Sequence, residues 1–190
     1  MSYAATYLDE LAATVQRISR ADVQAVVAAL LRAAHDQRQI FIIGNGGSAA
    51  TASHMMNDLN KLTIVPGQPR LRAIALTDNM PLVTAWGNDV SFDESFAEPL
   101  RNLMQPGDVL IAISTSGNSP NIVRAVEVAH GEFQAQVIGL VGDVGGKLAQ
   151  LADLVIRIPS PHIGQQEDGH LILNHAIANA IAQQRRESAA

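Results

Sequence analysis

Apolar positions in the first part of the chain recur at helical spacing. Tyr7, Leu8, Leu11, Val15 and Ile18 mark a helix over residues 3–18. Ser19-Arg20-Ala21-Asp22 then reads as a capping box that opens a second helix. Its apolar face carries Val23, Val26, Val27, Leu30, Leu31 and Ala34. Beyond this pair, short continuous apolar runs alternate with helical segments. The runs at 40–43, 71–76, 109–113, 137–141 and 154–158 predict five strands. Segments 48–62, 92–103, 120–130, 147–151 and 167–184 predict the helices between and after them. This alternation predicts an α/β fold: a mostly parallel five-stranded sheet flanked by helices in a three-layer sandwich. The helix pair over 1–36 is read either as a subunit interface or as cover for its own sheet.

Composition sharpens this picture. The chain has 190 residues, the size of one domain, and 1–190 is read as a single unit. Hydrophobic residues make up 47% and aromatics only 4%, so the core is expected to consist of Ala, Val, Leu and Ile. With no cysteine, a metal site must use His with carboxylate or amide oxygen. A net charge of −5 speaks against nucleic-acid binding. No apolar run approaches the ~20 residues of a membrane span, and Asp9 and Glu10 interrupt the N-terminal segment where a leader would be apolar. The expectation is a cytoplasmic protein without membrane contact.

Chemistry concentrates at the ends of two predicted strands, where parallel sheets bind ligands. The first strand ends in Gly44-Asn45-Gly46-Gly47-Ser48. Glycines let the chain turn sharply there, and the following helix offers unsatisfied N–H donors to an anion. The loop matches neither the dinucleotide fingerprint nor the Walker pattern, so no nucleotide cofactor is expected. The third strand ends in Ser114-Thr115-Ser116-Gly117-Asn118-Ser119-Pro120. Its hydroxyls, with Ser119 as N-cap and Pro120 as first helical residue, can hold a phosphate without Lys or Arg. Candidate acid–base residues are His54 and Asp58, four apart on one helix face, and His170 and His175 on the last helix. By spacing, His54 and Asp58 are equally a surface pair. A step of five separates the last two imidazoles by ~140°, so they cannot both face one site.

The two loops together resemble the SIS phosphosugar-binding fold, and more narrowly the bacterial phosphoheptose isomerases. Leu76-Thr77-Asp78-Asn79, Gly87-Asn88-Asp89, Pro106-Gly107-Asp108, Gly145-Gly146-Lys147-Leu148 and the His-bearing last helix extend the resemblance over nearly the whole chain. It implies conversion of sedoheptulose 7-phosphate to D-glycero-D-manno-heptose 7-phosphate. It also implies a homotetramer with sites formed between subunits. Ser48, Ser114, Thr115, Ser116 and Ser119 are then expected to hold the phosphate, and Asn45, Gly46, Gly47, Asn88, Asp89 and Glu167 to line the sugar site. Asn88-Asp89 taken alone reads as a turn dipeptide after a short helix. Asp58 takes the place of the base and His175 of the proton shuttle. His54, Asp58, Glu167 and His175 match positions that can bind zinc.

Two departures from the resembled pattern stand out. Asp58 occupies a Glu position, one methylene shorter, and Glu167 a Gln position, with Gln166 adjacent. Two other readings follow from the resemblance: an isomerase of a different sugar phosphate, or a regulatory module of the branch that binds the bacterial replication initiator.

Overall fold

The computed structural model describes residues 2–189; Met1 and Ala190, the ends of the expected 1–190 unit, lie outside the described residues. Five strands form one sheet: β1 (Gln39–Gly44), β2 (Arg72–Ala75), β3 (Val109–Ser114), β4 (Gln136–Val141) and β5 (Leu154–Arg157). All pairings are parallel and the order is β2-β1-β3-β4-β5. Ile42 stands opposite Ala75 on one side and Ile111 on the other, and Ile111 opposite Ile138. Every residue of β3 is buried, which explains its unbroken apolar run.

The helices are α1 (Tyr3–Arg17), α2 (Arg20–His35), α3 (Gly47–Lys61), α4 (Met80–Asp89), α5 (Ala97–Leu103), α6 (Pro120–Phe133), α7 (Leu148–Leu151) and α8 (Ile163–Glu187). Strand residues point alternately to the two faces of the sheet. Ile40 and Ile42 pack with Leu30, Met55, Leu59 and Ile177 of α2, α3 and α8. Phe41 and Ile43 pack with Leu100, Ile122, Val126 and Leu148 of α5, α6 and α7. Two cores on one sheet make the expected three layers.

The N-terminal pair divides its roles. Ser19 caps α2, its Oγ accepting from the Asp22 amide at 3.2 Å. That helix buries Val26, Val27, Leu30, Ala33 and Ala34 and covers its own sheet. The only residue that α1 fully buries is Thr14; Tyr3 and Leu8 are exposed. Polar ties hold α1 in place, with Tyr7 donating to Asp168 at 2.6 Å and Arg17 to the Pro159 carbonyl at 2.6 Å.

Three elements differ from the sequence reading. Helix α4 has no apolar stripe long enough to stand out; Asn79 caps it through the Leu82 amide, and Pro81 lies in its first turn. Segment 92–103 splits into a short 3-10 turn, Phe92–Glu94, and α5, because Ser95 between them is buried and accepts from Asn121. Helix α8 starts four residues early, at Ile163, since Gln165 and Gln166 bury their amides in its first turn.

Candidate active site

The strand order reverses between β1 and β3, so the two chemical loops end adjacent strands and flank one crevice. In the first loop, Gly46 adopts φ +54 and starts α3 without a side-chain cap. Gly44 must lack a Cβ, which would come 2.5 Å from the Ser48 carbonyl oxygen. Uncapped amides at the start of a 15-residue helix thus face the crevice, beside the buried Ser48.

In the second loop Gly117 takes φ +62, and a Cβ there would overlap the Gly145 carbonyl. The Leu148 amide donates to the Gly117 carbonyl at 2.9 Å, and the Lys147 amide to Asn118 Oδ1 at 3.0 Å. The glycine segment after β4 therefore braces the hydroxyl loop. Ser119 occupies the N-cap position before α6, yet its Oγ makes no capping bond among the described residues and lies 3.5 Å from Ser114 Oγ. Ser114 Oγ accepts from the Gly117 amide at 3.1 Å, and Ser116 Oγ from the Asn118 amide at 3.2 Å. Thr115 is partly exposed, and its carbonyl accepts from the Gly142 amide at 3.1 Å.

A reciprocal amide pair stitches the loops together. Asn45 Nδ2 donates to Asn121 Oδ1 at 2.8 Å, and Asn121 Nδ2 donates to Asn45 Oδ1 at 3.0 Å. Asn45 is thus largely committed to the fold. Beside it, a recess of about 220 Å³ is lined by Gly46, Ala49, Thr77, Val83 and Phe96. A larger cavity of about 470 Å³ lies elsewhere, between α1 and the loop after β5, lined by Glu10, Thr14, Arg17, His162 and Gln165.

Helices α3 and α8 bring the acid–base candidates together. His54 Nε2 lies 3.5 Å from Asp58 Oδ2, His175 Nε2 lies 3.8 Å from the same oxygen, and the two Nε2 atoms are 3.3 Å apart. The carboxylate is mostly buried, at 13% exposure, while the imidazoles are 42% and 51% exposed. The cluster therefore opens to solvent. Its three ligand atoms lie within 4.8 Å of one another. Donors around a tetrahedral metal with bonds of ~2.0–2.1 Å stand ~3.4 Å apart, and two imidazoles with a carboxylate are a donor set that zinc accepts. The residues fit a metal by composition and by spacing.

Glu167 is not part of this cluster. Its carboxylate lies against Gly47, where an added Cβ would come 2.6 Å from Oε1. Eight residues of helix, ~12 Å of rise, separate it from His175. The four-ligand set expected from the sequence is thus three residues plus a carboxylate beside the α3 N-terminus. Gln166 does not replace it, because it is buried and donates to the Ser160 carbonyl at 2.7 Å. His170 points away from His175, as the five-residue step requires. It is buried, neither ring nitrogen has a hydrogen-bond partner among the described residues, and burial pushes its pKa down to about 4 against an opposing effect of the Val141 backbone. Asn88 and Asp89 form the exposed last turn of α4, the Asn88 amide donating to Asp89 at 2.7 Å.

The SIS domain family matches residues 6–142. The phosphoheptose isomerase of Rhodospirillum rubrum is 41% identical over 161 residues, covering 85% of this chain and 83% of the relative. That of Mycobacterium tuberculosis is 41% identical over 143 residues, covering 75% and 72%. The structure of phosphoheptose isomerase GmhA from Neisseria gonorrhoeae superposes with a TM-score of 0.87 at 33% identity, covering 95% of this chain and 97% of that one. This chain belongs to the phosphoheptose isomerase family of SIS-domain proteins.

Several residues of this family member escape a motif search. Asn174 is fully buried and donates to Asp58 Oδ2 at 2.9 Å. Asn121 ties the loops, and Ser53 donates to Asp78, bracing α3 against the end of β2. Tyr7 donates to Asp168, next to Glu167, and that carboxylate pushes the phenol up to about 12. No sequence signal marks Asn174: consecutive helix residues lie ~100° apart, so its place next to His175 does not predict that it reaches Asp58.

Proposed function

We propose that this protein is an aldose–ketose isomerase that converts sedoheptulose 7-phosphate to D-glycero-D-manno-heptose 7-phosphate. The convergence of His54, Asp58 and His175 on one point, in a chain of this family, carries the reading. Along α3, ~10 Å of helix rise separates Gly47 from His54, comparable with the open chain of a seven-carbon sugar phosphate.

Ser48, Ser114, Thr115, Ser116 and Ser119 hold the phosphate, with the α3 and α6 N-termini supplying positive dipole. Gly46 and Gly47 let the chain approach closely, and Glu167 accepts from a sugar hydroxyl. Asn45 contributes its remaining capacity there. Asp58 removes the proton from C1 of the ketose and returns it to C2. His175 moves the hydroxyl proton from O1 to O2, so the carbonyl leaves C2 and appears at C1 with no net redox change. A zinc ion held by His54, Asp58 and His175 would polarise the carbonyl and hydroxyl oxygens of the substrate.

The exposed imidazoles are the reason to read the site as completed by neighbouring subunits, in a homotetramer. Asn88 and Asp89, exposed on α4, are assigned to such a shared site. Residues 1–190 are read as one SIS unit. Among the described residues no helix is long and apolar enough to cross a membrane, and the protein is read as cytoplasmic.

The test is conversion of sedoheptulose 7-phosphate followed by NMR, with zinc or with a chelator. The expected result is conversion by the natural protein and none by Asp58→Asn, which still binds the sugar phosphate. Full activity of Asp58→Asn would remove the base from this residue. Binding without conversion by the natural protein would redirect the reading to another sugar phosphate or to a regulatory role.

A further inference from the structure

Asn174 precedes His175 on α8 and is fully buried. Its Nδ2 donates to Asp58 Oδ2 at 2.9 Å. That oxygen is the one that faces both imidazoles, His54 at 3.5 Å and His175 at 3.8 Å. The other oxygen, Oδ1, accepts from Asn57 at 3.1 Å. Rotation about the last torsion of an aspartate is soft. Here two amides, one on each oxygen, hold it in a single orientation.

The opposite end of the Asn174 amide has no such employment. Its Oδ1 is buried without a hydrogen-bond partner among the described residues. An unpaired buried acceptor is destabilising, and a leucine with the same branching would not carry one. Packing therefore gives no reason for an amide at this position; the donor to Asp58 does.

We propose that Asn174 is a positioning residue that aims Asp58 Oδ2 between His54 and His175. Its catalytic consequence rests on the isomerase reading above. Its consequence for metal affinity rests on the geometry alone. Groups that orient a ligand in this way typically change affinity or activity by about 10–100-fold when removed.

The test uses Asn174→Leu in the full chain. The expected melting temperature is unchanged or raised. The expected kcat falls about 10–100-fold with KM within about threefold, and Zn²⁺ affinity by calorimetry falls by a similar factor. Leu173→Ala, a core change one residue away, is the control: it lowers the melting temperature and leaves kcat and Zn²⁺ affinity as they are. If the leucine variant does not fold, Asn174→Ala removes the donor without added bulk and is compared with the same control. Natural kcat and Zn²⁺ affinity in the variant overturn the proposal, as does a loss that merely tracks stability. If the natural protein isomerises no sugar phosphate, the isomerase reading fails and Zn²⁺ affinity alone decides the role of Asn174. Absence of both activity and Zn²⁺ binding in the natural protein overturns the isomerase reading and the proposal together.

Discussion

Nε2 of His54 and Nε2 of His175 stand 3.3 Å apart, with the rings edge to face, although 121 residues separate them in the chain. Two ring nitrogens this close cannot both carry a proton toward each other. Either one donates to the other, or both turn lone pairs toward a cation. Asp58 Oδ2 adds negative charge at the same point. Zinc is therefore expected to stabilise the fold. At 100 times its Kd it adds ~2.7 kcal/mol to the unfolding free energy. Urea midpoints with zinc and with a chelator measure this. His175→Ala is expected to remove most of the difference, and identical midpoints in the natural protein would refute the site.

His170 predicts a pH dependence of stability. Its folded-state pKa lies near 4, below the unfolded value near 6.5, because burial opposes the charged form. Between those values the unfolded chain binds more protons, so stability falls as pH falls. The loss attributable to this group is ~3 kcal/mol between pH 6.5 and 4. His170→Leu is expected to flatten that part of the curve in urea titrations. An unchanged slope would show that other groups carry it.

The hydroxyl loop depends on the missing side chain at Gly117. Alanine there needs an unfavourable φ of +62 and collides with the Gly145 carbonyl. Gly117→Ala is expected to raise KM for the sugar phosphate at least about tenfold, since misplacing binding groups by ~1 Å costs on the order of 100-fold. Gly47→Ala must displace the Glu167 carboxylate, 2.6 Å away, and should raise KM less because that side chain can rotate. Steady-state kinetics of both variants check the order.

Tyr7 links α1 to α8 through Asp168, beside Glu167. Because α1 fully buries only Thr14, such polar ties carry much of its attachment. Tyr7→Phe is expected to speed amide exchange throughout residues 3–17 while α2 and the sheet stay protected. Uniform protection of α1 in the variant would show that Arg17 and the apolar contacts suffice.

The placement of site residues shows what periodicity can and cannot deliver. His54 and Asp58 were readable as one helix face, because spacing of four is set by the helix itself. The divergence of His170 and His175 followed from the same geometry. Glu167 was grouped with the metal candidates by resemblance, but its position depends on how α3 and α8 pack, and that packing sets it against Gly47. Asn121 and Asn174 are ordinary polar residues in sequence; burial and partners from distant segments, Asn45 and Ser95 for the first and Asp58 for the second, give them their importance. Apolar periodicity does not mark helix α4, because none of its residues is fully buried; it is legible only as the short helix before Asn88-Asp89, and it runs on through that dipeptide.

Local rules thus determined the alternation of strands and helices, the glycine and hydroxyl loops at strand ends, and the capping of α2 by Ser19. Each depends on residues within one turn or one strand of each other. Only the tertiary structure decided that β1 and β3 are neighbours, that Asn45 meets Asn121, and that His175 joins His54 and Asp58 while Glu167 does not. Those contacts span from about 70 to about 120 residues of chain, and only the packing of buried faces against one sheet selects them.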